Sequence, residues 1–339
     1  MTRAGDHRVF VSRRIPEPGL DILRRHCRVR LWPERLPPSP AQLREGISDV
    51  DGVLTLLTDR MDGEMMDAAS DLRVISNYAV GYDNVDVRAA TERGIAVTNT
   101  PGVLTEATAD FTFALLMAAA RRVVEGDGAL RRGEWLTWEP AFLLGRDVHG
   151  ATLGIVGLGR IGRALARRAA GFGMRLLYFD IERNPEAEAA LGLEYAPLDE
   201  LLGTSDFISL HVPLNENTHR MLGRRELQMT REGAILVNTS RGEVIAEDAL
   251  VEALRDGPLA AAGLDVYGKE PLPVEHPLVR LDNAVLCPHL GSASVGARRA
   301  MARVAAENLV GVLEGAAVEH VVNPEVLRGQ GEGPLYRNR

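Results

Sequence analysis

The stretch from Gly150 to Glu182 constrains this chain more than any other. Thr152 to Val156 is an apolar run too short for a helix and suited to a strand buried on both faces. Gly157, Gly159 and Gly162 follow in G-x-G-x-x-G spacing. Ile161, Leu165, Ala169 and Phe172 then recur at roughly helical intervals, so a helix begins inside the glycine motif. Arg175 to Phe179 is a second apolar run, and it ends on Asp180.

Strand, glycine turn, helix, strand and acid in this register describe a dinucleotide site. Gly157 permits a sharp turn, Gly159 lets the backbone approach a pyrophosphate, and Gly162 lets helix and strand pack closely. The exposed N–H groups at the helix start attract the phosphates. Asp180 is placed to accept hydrogen bonds from an adenosine ribose. Its charge would repel a 2′-phosphate, which favours NAD(H), while the nearby Arg183 keeps NADP(H) open.

A chain of 339 residues suits two domains, and 45% hydrophobic residues provide ample core. The 47 acidic residues outnumber the 39 basic ones, for a formal charge of −8, which disfavours nucleic acid as a partner. Cys27 and Cys287 are the only cysteines, so neither a disulfide framework nor a zinc-type cluster is expected. The polar start leads into Val9-Phe10-Val11 without a long apolar region, and no segment reads as a membrane span. A cytoplasmic enzyme without a metal is the expectation.

Along the chain, strands are expected at Arg8 to Ser12, Gly52 to Leu57, Leu72 to Ser76 and Gly94 to Thr98. Helices are expected at Pro18 to His26, Ala41 to Ile47 and Met61 to Ala69, and Thr105 to Arg122 forms a long apolar one. Gly126 to Gly150 reads as an irregular excursion carrying Trp135 and Trp138. Further strands are expected at Phe207 to Leu210, Ala234 to Val237, Ala260 to Leu264 and Ala284 to Leu286. Helices follow at Glu247 to Arg255 and Gly296 to Glu314, and a polar tail begins at Gly329. This alternation predicts parallel sheets with helices on both faces. Polar residues gather where the apolar runs stop, at the carboxyl ends where an open parallel sheet binds ligands.

Arg241, Glu270 and His289 are the candidate chemical groups. Hydride delivery to a ketone builds negative charge on oxygen, which calls for a proton donor, and histidine suits that task near neutrality. A carboxylate such as Glu270 would favour the imidazolium and orient the ring. Arg241 can grip a substrate carboxylate and polarise its carbonyl. Taken singly, each has an ordinary structural alternative: a capped loop histidine, a solvated Glu270–Lys269 pair, an arginine at a helix end.

Four motifs lift these residues out of that ambiguity. The glycine motif, Asn-Thr-Ser-Arg-Gly at 238–242, Gly-Leu-Asp-Val-Tyr-Gly-Lys-Glu-Pro at 263–271 and Pro-His-Leu-Gly-Ser at 288–292 occur in one order. The chain so resembles the D-isomer-specific 2-hydroxyacid dehydrogenase family, most of all its glyoxylate/hydroxypyruvate reductases, from about residue 8 to 325. Ala-Val-Gly-Tyr-Asp-Asn-Val-Asp at 79–86 and the 100–110 segment support the likeness. The resemblance implies an α/β protein of two Rossmann/flavodoxin-like domains with parallel sheets and an active-site cleft between them. Residues 1–99 with 290–325 would form the substrate domain, 100–289 the NAD-binding domain, and 326–339 a tail.

Carried over residue by residue, it makes His289 the acid/base, Glu270 its partner and Arg241 the substrate arginine. It assigns the backbone near Val80 and Gly81 to the substrate carboxylate, Arg160 and Ile161 to the pyrophosphate, and Pro213 to the adenine end. Thr239, Arg241, Asp265 and Gly291 would line the nicotinamide side, with Thr108 a further candidate there. A small 2-keto or 2-hydroxy acid is the implied partner and a homodimer the implied assembly, Trp138 resembling a residue that reaches into the neighbouring subunit. Glu270 stands where formate dehydrogenases have glutamine, and Ala79-Val80-Gly81 lacks the lysine of a phosphite dehydrogenase. Two alternatives stay open: a D-3-phosphoglycerate dehydrogenase-type enzyme and a non-catalytic, NAD(H)-sensing protein of the corepressor kind.

Overall fold

The structure is a computed structural model that describes residues 6–328. The chain divides into two compact units, one ending at Leu104 and resuming at Ser294, the other Thr105–Ala293.

The first unit holds β1 (Arg8–Val11), β2 (Arg28–Leu31), β3 (Gly52–Thr55), β4 (Val74–Asn77) and β5 (Ala96–Thr98). They form one sheet in the order β2-β1-β3-β4-β5, and every neighbour is parallel. β3 and β4 are buried along their whole length, as expected of strands covered on both faces. The Pro40–Ile47 helix starts from a capping box in which Ser39 and Gln42 satisfy each other's backbone N–H. The chain returns to this unit through the Val295–Glu314 helix. There Gly19 lies so close that a Cβ on it would overlap the Ala302 carbonyl, and the Ser76 hydroxyl donates to the Ala305 carbonyl at 2.8 Å.

The second unit holds β6 (Thr152–Val156), β7 (Arg175–Phe179), β8 (Leu193–Tyr195), β9 (Phe207–Leu210), β10 (Ala234–Asn238), β11 (Leu259–Leu264) and β12 (Ala284–Leu286). Their order is β12-β11-β10-β9-β6-β7-β8, again parallel throughout. The order reverses between β6 and β9, and at such a switch point the carboxyl ends leave a crevice. Apolar clusters cover this sheet, one including Leu236, Leu250 and Leu264, the other Leu116, Ile155 and Tyr178.

Several elements differ from expectation. β2 reads Arg-Val-Arg-Leu, and its charges hide a strand that sits at the sheet edge, where charge guards against edge pairing. The long apolar helix stops at Ala120 because Arg122 adopts a left-handed conformation (φ 52°). A new helix, Val123–Arg131, then enters the stretch expected to be irregular, closed by Arg122–Glu125 and Arg131–Asp127 pairs. Met61 to Ala69 shrinks to a Gly63–Asp67 helix capped by Asp62, since Met61 bridges to Val85 instead. A short helix, Glu325–Arg328, runs across the expected boundary at 325/326 into the segment expected to be tail. The expected polar stretch from Gly329 lies outside the described residues.

Candidate active site

At the glycine motif, Gly157 has φ 96°, and a Cβ there would meet the His211 carbonyl carbon at 2.8 Å, so β6 and β9 approach closely at the switch point. A Cβ on Gly162 would overlap the Gly157 carbonyl oxygen, while Gly159 faces open space. Gly159 caps the Arg160–Ala170 helix without a side chain, so the first-turn N–H groups of that helix remain available to an anion. Asp180 directly follows β7 and accepts from Leu158 N at 2.7 Å and Ile181 N at 2.8 Å, one bond per oxygen. A carboxylate so fixed keeps lone pairs for ribose hydroxyls. Open space before Gly159, an uncapped helix start and an anchored acid are the cradle that a dinucleotide needs.

Arg183 is not free beside that acid. Its guanidinium grips Glu188 through two bonds, at 2.8 and 2.9 Å, and lies 5.9 Å from the Tyr195 ring. The Tyr178 hydroxyl also donates to Glu188 at 2.6 Å. These bonds, Arg183 foremost, lower the Glu188 carboxyl to about 2. On the switch-point side, His211 donates its backbone N–H to Val156 and pairs its ring with Ser209 at 2.8 Å. Burial lowers this imidazole to about 4. Pro213 is exposed, its carbonyl accepting from the Thr218 hydroxyl at 2.6 Å.

His289 Nδ1 and Glu270 Oε2 are 2.8 Å apart, with both side chains about one-third exposed, at 28% and 34%. The other Glu270 oxygen accepts from Tyr267 N at 3.1 Å. Burial pushes this carboxyl up, yet the His289 bond and charge, the Tyr267 N–H and the charge of Arg241 together bring it below its ordinary value. His289 has a left-handed backbone (φ 56°), and its N–H donates to the Asp265 carbonyl at 3.0 Å. Asp265 itself is buried, and its carboxylate accepts from Leu290 N and Gly291 N, both at 2.7 Å. Burial raises its pKa against those two bonds. In the free protein Asp265 therefore holds the turn that presents His289.

Arg241 follows β10 and gives Nη1 to the Ser240 carbonyl at 2.8 Å, while Asn238 ties the loop by donating to the Arg241 carbonyl at 2.8 Å. Thr239 shares a 2.7 Å hydroxyl contact with Thr112, whose hydroxyl also reaches the Thr108 carbonyl. Thr108 is buried beside Gly291: a Cβ on that glycine would stand 3.3 Å from it. The second unit so gathers Arg241, Glu270, His289, Thr239, Asp265, Gly291 and Thr108 at the carboxyl ends of β10, β11 and β12. Val80 and Gly81 lie half-buried in the first unit, on the loop after β4.

Tyr267 escaped the sequence reading although it lies inside a quoted motif. Its hydroxyl reaches the carbonyls of Leu264 and Cys287, at 3.1 and 2.9 Å, and burial raises its pKa. It braces the Glu270 loop against the ends of β11 and β12. Asn238 and Gly242 were also missed as shapers of the Arg241 loop, visible beforehand only as flanks of the arginine.

A dinucleotide cradle and a carboxylate-held histidine on one parallel sheet define a nicotinamide-dependent oxidoreductase. The family model for the NAD binding domain of the D-isomer specific 2-hydroxyacid dehydrogenases matches residues 113–291. A glyoxylate reductase of Korarchaeum cryptofilum is 54% identical over 322 residues, covering 95% of this chain and 97% of its own. One from Thermococcus gammatolerans is 51% identical over 325 residues, covering 95% and 97%. A crystal structure from Thermus thermophilus superposes with a TM-score of 0.88 at 50% identity, over 93% of this chain and 99% of that one. An NADPH-dependent glyoxylate/hydroxypyruvate reductase from Sinorhizobium meliloti, solved with NADP and malonate, gives 0.84 at 34% identity, over 93% and 96%. The chain belongs to the D-isomer specific 2-hydroxyacid dehydrogenase family, with two Rossmann-like domains, and is similar to its glyoxylate reductases.

Proposed function

We propose that the protein reduces glyoxylate or hydroxypyruvate to the corresponding 2-hydroxy acid, using NADH in preference to NADPH. The observation that carries this reading is the 2.8 Å contact between His289 Nδ1 and Glu270 Oε2. It occupies one ring nitrogen and leaves Nε2 to give a proton. When bound, the nicotinamide supplies a hydride. His289 Nε2 protonates the carbonyl oxygen as charge develops there, and Glu270 stabilises the imidazolium before transfer. Arg241 polarises the carbonyl and pairs with the carboxylate. The N–H groups of Val80 and Gly81 also receive that carboxylate, an assignment resting on the family resemblance.

NADH preference is supported by Asp180, held by two backbone N–H groups, and by the engagement of Arg183 with Glu188. A homodimer is supported by a run of exposed apolar side chains: Leu136 is 88%, Trp138 77% and Leu144 66% exposed. Apolar side chains exposed within one short stretch of chain are candidates for burial in a subunit contact. We place the enzyme in the cytoplasm on the strength of the sequence reading; no helix among the described residues is long and apolar enough to cross a membrane.

The test is NADH oxidation followed on adding glyoxylate, hydroxypyruvate or 3-phosphohydroxypyruvate. Saturable turnover of either of the first two is expected. Preference for the phosphorylated acid would point to the phosphoglycerate-type enzyme, and tight NADH binding without turnover to an NADH sensor.

A further inference from the structure

Three consecutive peptides in the loop after β4 are each pinned by their carbonyl. Thr100 N donates to the Ala79 carbonyl at 2.8 Å, Asn99 Nδ2 to the Val80 carbonyl at 2.8 Å, and Asn77 Nδ2 to the Gly81 carbonyl at 2.9 Å. A trans peptide is planar, with its C=O and N–H pointing in opposite directions. Pinning a carbonyl therefore aims the next residue's N–H the other way. Thr100 sets the N–H of Val80, Asn99 that of Gly81, and Asn77 that of Tyr82. None of these three N–H groups has a protein acceptor among the described residues. Val80 and Gly81 are half-buried, so these donors call for a partner other than the protein.

The pins are themselves clamped. The Asn99 carbonyl accepts from Asn308 Nδ2 at 2.9 Å, and Asn99 N donates to the His320 carbonyl at 3.3 Å. Asn308 is buried on the long Val295–Glu314 helix. Asn77 is fully buried, and its Oδ1 accepts from Thr55 at 3.1 Å and from Asn84 at 3.3 Å. Asn84 also donates to the carbonyls of Leu56 and Asp59, at 3.1 and 2.9 Å. Asparagine supplies an amide N–H donor and a carbonyl acceptor on one short side chain, which a chain of such bonds requires.

We propose that Asn99 is a positioning residue for substrate carboxylate binding. It fixes the Gly81 N–H as a preorganised donor, with Asn77 doing the same for Tyr82 N–H as a third donor. This rests on the reading that the substrate carboxylate is received at Val80 and Gly81. Donors fixed before binding cost no reorganisation when the anion arrives.

The test variant is Asn99→Asp, which keeps the size but turns the donor into an oxygen facing the Val80 carbonyl. Asn99→Ser, which withdraws the donor without adding charge, serves should the first fail to fold. KM and kcat are measured for glyoxylate and for glycolaldehyde, which keeps the aldehyde and lacks the carboxylate, alongside oxamate inhibition and NADH affinity. KM for glyoxylate and Ki for oxamate should rise roughly 10–100-fold, the size of one hydrogen bond to a charged group. kcat for glyoxylate, turnover of glycolaldehyde and NADH affinity should stay within about threefold. Folded variants with glyoxylate KM within about twofold of wild type overturn the role of Asn99. So does a parallel loss on both aldehydes with weakened NADH binding, which marks general damage. Wild-type enzyme that handles glycolaldehyde as well as glyoxylate overturns the carboxylate site itself, and the positioning role falls with it.

Discussion

Gly242 lies directly on the backbone of Tyr267: a Cβ added to it would overlap the Tyr267 carbonyl carbon and oxygen. The loop that carries Arg241 is thereby stacked on the loop that carries Glu270, and the charge of Arg241 helps to keep the Glu270 carboxyl ionised. Neither loop can yield by rotating a side chain, because the clash is with main chain. Gly242→Ala should therefore cost about 1–3 kcal/mol of stability or more. It should also lower kcat/KM for the keto acid well beyond its effect on NADH affinity. Denaturant midpoints and steady-state kinetics check this, and a variant of wild-type stability and activity would show that the stacking is dispensable.

The proposed NADH preference rests on Asp180 and on what holds Arg183. Wild-type kcat/KM should favour NADH. Asp180→Ser should narrow the preference, and adding Glu188→Gln should narrow it further by releasing Arg183 toward a 2′-phosphate. Kinetics with both cofactors on the three proteins decide the matter. A wild-type preference for NADPH would refute the reading of Asp180.

How much of this could be read from the residues varies with the kind of interaction. The β6 turn and β7 were plain because glycine spacing, apolar runs and a terminal acid are all local. β2 was missed because an edge strand carries arginines in place of an apolar run, and β8 because Leu-Glu-Tyr, two of its three residues exposed at the other sheet's edge, offers no apolar run either. His289 and Glu270 were legible as candidates through the family motifs, whereas their 2.8 Å contact needed the fold. Asp265 was expected to line the nicotinamide side, and only the fold shows its carboxylate holding the Leu290 and Gly291 N–H groups. Asn99 carries no motif signal, since its bond to Val80 joins positions 19 residues apart on separate strands' ends.

His211 makes acid stability measurable at one residue. Its folded pKa is lowered to about 4 from an ordinary 6.5, so between those values the unfolded chain binds a proton that the folded one does not. Its contribution is intact above pH 6.5 and is lost as pH falls toward 4, by at most about 1.4 kcal/mol per pH unit. His211→Asn should flatten the decline of urea midpoint between pH 6.5 and 4.5 relative to wild type. Parallel declines would assign the acid sensitivity elsewhere.

The exposed Leu136 and Trp138 should be covered in a dimer. Light scattering at micromolar concentration is expected to give twice the chain mass for wild type. Leu136→Ser with Trp138→Ser should shift the population toward monomer. A monomeric wild type would contradict the proposal.

The central claim is that His289 delivers the proton, and the most direct measurement is glyoxylate-dependent NADH oxidation by His289→Asn, with NADH affinity determined by fluorescence titration. Loss of a general acid should lower kcat by roughly 10²–10⁴-fold while NADH binding stays within about twofold of wild type. Glu270→Gln, which keeps the size and loses the charge, should lie between the two. A fall of less than about tenfold in His289→Asn would mean that another group or water supplies the proton.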